Sequence, residues 1–353
     1  MKIVIDDKIP FIREAVSQIT DEAIYKSGPL IGPDDIKDAD ALIVRTRTRC
    51  DKNLLAGSRL KFIATATIGF DHIDTEYLKE KGITWCNCPG CNANSVAQYI
   101  HSCLLLLEKE KGLDLSHTCI GLVGAGHVGT AVMNRITPLG VKVLLNDPPR
   151  EQEEPEACFH SLEEIQQECD IISFHTPLCH NGNFPTFHLG NDTFFRHLQK
   201  RPVVINTSRG SVVDNNAFLQ ALKSGQISEA IIDTWENEPH INRELLDRAY
   251  ISTPHIAGYS ADGKANASRM VIEALCHFFH LPPVTPIKPP ALPPSFKPAE
   301  DEKALALQLY NPHTDSRALK SHPEMFEELR GNYPLRREFY EKTENTEAKN
   351  CTK

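Results

Sequence analysis

A chain of 353 residues has room for two domains and a smaller third, and its 41% hydrophobic and 24% charged residues are those of an ordinary water-soluble protein. A formal net charge of −9 argues against nucleic acid as a general partner, and the longest aliphatic run, residues 104–107, is far too short to span a bilayer. The opening MKIVIDDK meets acids after five residues and holds no secretory core, so the eleven cysteines read as reduced thiols in the cytoplasm.

The spacing predicts a short strand over 2–5, helical spacing over 10–19, and a second strand from Ala41 to Val44 that continues through the alternating Arg45-Thr46-Arg47-Thr48-Arg49. A period of two puts the three arginines on one face, with Arg45, at the end of the apolar run, the candidate for an anionic substrate. Strands over 62–66 and 83–86 flank a helix opened by Asp74, and Thr65 and Thr67 end the first of them with hydroxyls. Four strands alternating with helices make an α/β domain. Cys86, Cys88 and Cys91 lie near the Pro89-Gly90 turn; they lack the paired knuckles of structural zinc and read as free thiols, with no metal expected.

A long apolar-striped helix from Asn92 to about Lys109 leads into CIGLVGAGHVGTAVMNRITPLGVKVLLND. This is a strand, the glycines Gly124, Gly126 and Gly129 in G-x-G-x-x-G spacing, a helix, and a second strand ending at Asp147. That order is a complete dinucleotide-binding βαβ unit. The glycines allow a tight turn, backbone approach to a pyrophosphate and close helix packing, and the helix start offers free N–H groups to phosphate. Asp147, 18 residues past Gly129, is placed to accept the ribose hydroxyls and repel a 2′-phosphate, which favours NAD.

Further strands are expected over 170–175, 202–207, 229–235 and 251–253, with a capping box at Ser161 and a helix over 214–223. A doubly wound sheet binds ligands at the carboxyl ends of its strands, here Thr176, Thr207-Ser208-Arg209, Asp233 and His255. A helix over 260–280 returns to the first domain. Eight of 24 prolines fall in 282–298 and mark a linker. Residues 299–340 form a small appendage with too few apolar residues for a core of its own, which points to a second copy of the chain as its partner, and 341–353 read as an unstructured tail. The expected organisation is a substrate domain (1–95 with 260–281), a nucleotide domain (96–259), the linker, and a dimerisation segment (299–353).

Hydride transfer from a hydroxy acid needs a base and a cation. His255 is the natural base, Glu238 a partner for its other ring nitrogen, and Arg209 a fork for the carboxylate. In NTSRGSVVD, DTWENEP and TPHIAGYS these three residues resemble the Arg, Glu and His of the D-2-hydroxyacid dehydrogenases, over residues 1 to about 281. TATIGFDHID, NCPGCNANSVAQY, LLNDPPR, SFHTPL, HIAGYSADGKA and FEELRGNYPLRREF carry a narrower resemblance, to members acting on a phosphorylated hydroxy acid. The resemblance implies two doubly wound α/β domains, Rossmann-type for NAD and flavodoxin-like for substrate. It implies NAD contacts at His127, Val128, Asp147, Thr176, Thr207, Ser208, Asp233 and Gly258, substrate contacts at Thr46, Thr67 and Tyr259, and a homodimer formed through the C-terminal segment. Arg336 and Arg337 are then expected to reach the site of the second subunit.

Overall fold

The computed structural model describes residues 1–339, so the tail over 341–353 lies outside the described residues. Eleven strands form two parallel sheets. The first contains β1 (Ile3–Asp6), β2 (Ala23–Lys26), β3 (Ala41–Val44), β4 (Phe62–Thr65) and β5 (Thr84–Cys86), in the order β2-β1-β3-β4-β5. That is the flavodoxin-like order. β1, β3 and β4 are buried on both faces, as parallel strands covered by helices must be.

The second sheet contains β6 (Cys119–Val123), β7 (Lys142–Asn146), β8 (Ile171–Phe174), β9 (Val203–Asn206), β10 (Glu229–Ile232) and β11 (Ile251–Ser252), in the order β11-β10-β9-β8-β6-β7. All its strands run parallel, and the order in which the chain adds them reverses between β6 and β8. Where a dinucleotide sheet would carry one more outer strand, residues 154–160 supply only the bond from the His160 N–H to the Leu145 carbonyl (2.7 Å) and from Asn146 Nδ2 to the His160 carbonyl (2.7 Å).

β2 was not anticipated: AIYK is an edge strand with no buried residue and no apolar run. The arginine stretch also departs from expectation. β3 stops at Val44, and residues 45–48 turn, with the Thr48 N–H bonded to the Arg45 carbonyl (3.2 Å) and Thr48 Oγ1 to the Gly28 carbonyl (3.0 Å). The three arginines therefore part company.

The helix Ala93–Lys111 carries the chain into the second sheet, and Ala261–Phe278 brings it back to pack on β4. Both domains contribute to these crossings, and their N-termini touch. A Cβ on Gly258 would lie 2.3 Å from Asn92 Nδ2, and one on Gly263 would lie 2.7 Å from Ser95 Oγ.

Residues 282–339 wrap rather than dangle. Ile287 is buried in the first domain, and its carbonyl accepts from Arg269 Nη2 (2.9 Å). Helices Glu302–Leu309, Pro312–Ser321 and Phe326–Gly331 then lie on the second sheet, where Leu319 and Phe326 join one of its cores and Tyr310 the other. These three side chains are thus seated on their own chain, whereas Phe339 stays exposed. Arg336 does not reach another subunit's site: its buried guanidinium donates to Gln98 Oε1 (2.9 Å) and to the carbonyls of Ile256 (3.1 Å), Tyr259 (2.8 Å), Ser95 (3.2 Å) and Ala257 (2.6 Å). Arg337 is held by Asp262 (3.0 Å) and by the Pro290 carbonyl (2.6 Å). Among the described residues no helix is long and apolar enough to cross a membrane.

Candidate active site

The carboxyl ends of β9, β10 and β11 bring the three candidate residues for chemistry onto neighbouring loops. After β11, His255 takes a left-handed backbone conformation (φ 58°), uncommon for a side chain with a Cβ, and is held in it by the bond from its N–H to the Asp233 carbonyl (2.8 Å). Asp233 also accepts from Thr253 Oγ1 (2.7 Å), the Ile256 N–H (2.7 Å) and the Ala257 N–H (3.0 Å), so one buried carboxylate shapes the whole histidine loop. Burial pushes the Asp233 carboxyl up, against the lowering influence of His255 and these donors. The loop after β10 is tied to the same place by Trp235, whose indole donates to the Thr253 carbonyl (3.0 Å) and whose N–H donates to Glu238 Oε1 (2.9 Å).

His255 Nδ1 lies 2.9 Å from Glu238 Oε2 and 3.1 Å from Oε1. Burial alone would raise the Glu238 carboxyl; the bond to His255, its charge, the Trp235 N–H and Arg330 outweigh that and hold it below the ordinary carboxylate range. A carboxylate beside Nδ1 requires the proton there, which leaves the Nε2 lone pair free. Arg209, after β9, bonds to the Ser208 carbonyl (2.9 Å) and extends across to the first domain, where a Cβ on Gly69 would lie 2.9 Å from its Nη2. Thr67 shares that wall, its hydroxyl bonded to the Gly69 carbonyl (2.9 Å) and 2.7 Å from Thr65 Oγ1, which in turn lies 3.0 Å from His72 Nε2.

The glycine loop has the shape a dinucleotide needs. Gly124 turns with φ 98°, and a Cβ on Gly129 would meet the Gly124 carbonyl at 2.0 Å, so helix and strand can approach only through glycine. Nothing stands within 4 Å of a Cβ on Gly126, the residue before helix His127–Ile136: the cradle is open where a pyrophosphate belongs. Beside it, Thr176 Oγ1 and His175 Nε2 are buried polar atoms without a protein partner, as expected for a wall completed by a ligand. Thr207 Oγ1 is 3.4 Å from His175 Nδ1, and Ser208 Oγ bonds to Asn206 Oδ1 (2.8 Å). Asp147 has two structural duties: it caps helix Pro148–Glu153 through the Arg150 N–H (3.2 Å) and accepts from the Ala125 N–H (2.8 Å). Arg150, the one nearby cation, is bound to Glu154 and to the Ala125 carbonyl. His127 is exposed and faces Gly90 of the first domain; Val128 packs inward, and Gly258 abuts Asn92 at the domain crossing.

On the substrate side the structure separates the expected residues. Thr46 is exposed on the turn after β3. Arg45 spends its fork on buried Asp6, Nε to Oδ2 at 3.0 Å and Nη2 to Oδ1 at 3.2 Å. Arg47 pairs with Glu327 and Arg49 with Asp51. Tyr259 lies beneath Lys264, whose Nζ is 4.1 Å from its ring centroid, and edge-on to Tyr333. Two residues were not singled out from the sequence. Arg330 reaches back from the C-terminal segment to Glu238 Oε2 (3.2 Å), and Lys264 stands beside it. Both lie in stretches that carried the narrower resemblance, FEELRGNYPLRREF and HIAGYSADGKA. Among the described residues, His188, Asp214 and Glu236 alone gather metal-ligating atoms, and they are already joined, with His188 Nε2 2.7 Å from Glu236 Oε1.

A doubly wound sheet with an open glycine cradle, set beside a histidine–glutamate pair and an arginine fork, defines an NAD-dependent dehydrogenase of D-2-hydroxy acids. Residues 103–257 match the family described as "D-isomer specific 2-hydroxyacid dehydrogenase, NAD binding domain". The structure of D-lactate dehydrogenase from Aquifex aeolicus, complexed with NAD and lactic acid, is similar with a TM-score of 0.65 at 26% identity, over 79% of this chain and 96% of that one. Among curated proteins, erythronate-4-phosphate dehydrogenase of Bacteroides thetaiotaomicron is 56% identical over 338 residues, covering 96% of this chain and 97% of its own. The enzyme of that name from Porphyromonas gingivalis is 43% identical over 350 residues, covering 96% and 94%. The chain belongs to the erythronate-4-phosphate dehydrogenase family.

Proposed function

We propose that this chain oxidises 4-phospho-D-erythronate at C2 to 3-hydroxy-2-oxo-4-phosphooxybutanoate with NAD, a step in the synthesis of pyridoxal 5′-phosphate. The activity follows from the family. The observation that carries the chemistry is the contact of His255 Nδ1 with Glu238, 2.9 Å from Oε2, on a loop neighbouring that of Arg209. NAD supplies the acceptor for the hydride that leaves C2.

His255 takes the C2 hydroxyl proton on Nε2, becoming an imidazolium that the adjacent Glu238 carboxylate stabilises. Arg209 grips the substrate carboxylate with its fork and draws electron density from the C2 oxygen as it becomes a carbonyl. Gly124, Gly126, Gly129, His127 and Val128 would hold the pyrophosphate, and Asp147 the adenosine ribose. Thr176, Thr207, Ser208, Asp233 and Gly258 would line the nicotinamide half. Thr46, Thr67, Tyr259 and Arg45 are assigned to the substrate. The open cradle at Gly126 and the unpartnered Thr176 hydroxyl support this assignment.

A homodimer and a cytoplasmic location belong to the same reading; the ten free cysteines among the described residues support a reducing compartment. Light scattering on the intact chain tests the dimer, with a particle near one chain mass of 39.5 kDa speaking against it. The substrate is tested by following NADH formation with 4-phospho-D-erythronate, 3-phospho-D-glycerate and D-lactate. The phosphorylated four-carbon acid should show the highest kcat/KM by a wide margin, and comparable turnover of either other acid overturns the assignment.

A further inference from the structure

Two cations meet at one phenol at the edge of the active site. Lys264, in the first turns of helix Ala261–Phe278, places Nζ 4.1 Å from the ring centroid of Tyr259. No carboxylate or carbonyl among the described residues accepts from this ammonium; its other neighbours are Arg45, Arg330 and the Cys91 thiol. Arg330 comes from the C-terminal segment, with Nη1 3.2 Å from Glu238 Oε2 and its guanidinium interacting with the Tyr259 phenol.

The charges do not balance. Arg45 is answered by Asp6 and Arg330 by Glu238, whereas Lys264 has no carboxylate partner among the described residues. A partly buried lysine without a counter-ion is costly in the free protein and awaits an anion. Burial pushes the Lys264 ammonium below its ordinary range. Tyr259 reports the same field: burial would raise its phenol, yet Lys264, Arg330 and Arg45 together pull it below the usual value.

We propose that Lys264 and Arg330, meeting over the Tyr259 phenol, form the subsite that receives the phosphomonoester end of the substrate. The C-terminal segment thereby supplies one of the two cations that select a phosphorylated acid. This inference rests on the substrate reading given above and says which side chains enforce it. A phosphomonoester brings nearly two negative charges and three acceptor oxygens. The Lys264 ammonium and the N–H groups of Arg330 not turned to Glu238 offer charge-assisted bonds to it. Because Arg330 also touches Glu238, the phosphate end lies one side chain away from the proton acceptor His255. Arg45, its fork held by Asp6, adds field behind the subsite.

The test compares 4-phospho-D-erythronate with D-erythronate on the intact chain and on Lys264→Gln, Lys264→Arg and Arg330→Gln. For Lys264→Gln, KM for the phosphorylated acid should rise roughly 10- to 100-fold, the scale of losing a charged hydrogen bond, while kcat/KM for D-erythronate should change less than about twofold, since the carboxylate end is untouched. Lys264→Arg should keep most of the preference. Arg330→Gln should slow both acids through Glu238 and weaken the phosphorylated one further. Inorganic phosphate should compete with the substrate on the intact protein and cease to compete on Lys264→Gln. Equal losses for both acids, or phosphate that fails to compete on the intact protein, overturn the subsite whether or not a variant folds. Failure of the intact protein to prefer the phosphorylated acid would remove the substrate reading itself.

Discussion

Glu238 and His255 face each other at 2.9 Å, and that carboxylate also accepts from Arg330 at 3.2 Å. A single acid therefore connects the proton-accepting histidine to a cation from the far end of the chain. Glu238→Gln keeps the shape and removes the charge. Without the carboxylate the imidazolium formed in the reaction is less well stabilised, so kcat should fall by roughly 10²-fold or more. A kcat close to that of the parent would mean that Glu238 does not act on the base.

Asp147 separates two roles by substitution. Asp147→Ala loses the cap of helix Pro148–Glu153 and the tie to the Ala125 N–H, and should cost about 1 kcal/mol of stability by thermal melting. Asp147→Asn keeps an acceptor for only one of the two N–H groups, which bond different carboxylate oxygens, so its melting temperature should fall between those of the parent and Asp147→Ala. Both variants should narrow the preference for NAD over NADP. An intact enzyme using the two cofactors equally well would contradict the role of this carboxylate.

Arg45 and Asp6 form a pair in which the acid is fully buried. Arg45→Gln leaves that carboxylate without its cation and should destabilise the fold by about 3–5 kcal/mol. The double variant Asp6→Asn with Arg45→Gln should recover most of the loss. Chemical denaturation of the four proteins in this cycle decides the matter: additive effects would show that the pair is not coupled.

His175 gives the stability a pH dependence of definite sign. Burial pushes its ring down to about 3, whereas the unfolded chain takes up the proton near the ordinary value of 6.5. Between these values unfolding binds a proton, so this group's contribution is complete above about 6.5 and is lost as pH falls towards 3. His175→Gln should flatten the fall in melting temperature between pH 6.5 and 4. An identical slope in parent and variant would assign acid sensitivity to other groups.

Much of this was legible in the sequence because it is local. The strand–glycine–helix–strand unit and the polar residues ending each apolar run depend on neighbours a few positions away, and the structure places them as expected. Arg45–Arg49 misled because alternating Arg and Thr copies the period of a strand, while the actual turn is set by Thr48 reaching Gly28, 20 residues back. β2 escaped notice because an exposed edge needs no apolar run. Arg330 lies 92 positions from Glu238, a separation no periodicity spans. Arg336, expected to reach the site of a second subunit, proved to be an internal donor, since only the fold reveals the carbonyls gathered around it.

The end of the described chain bears on how the two domains can move. Arg336 pairs with Ser260 in a parallel bridge, and its carbonyl accepts from the Ala261 N–H (2.8 Å). Glu338 Oε1 accepts from Ser95 (2.6 Å) and Ser260 (2.7 Å), one at each crossing. The pivot is thus three-ply: two connecting strands of chain laced by a third. Opening the cleft must either carry that lace along as part of the axle or strip it away at the cost of a buried guanidinium. Grafting the segment from another relative would then change the stiffness of the joint along with the surface it adds.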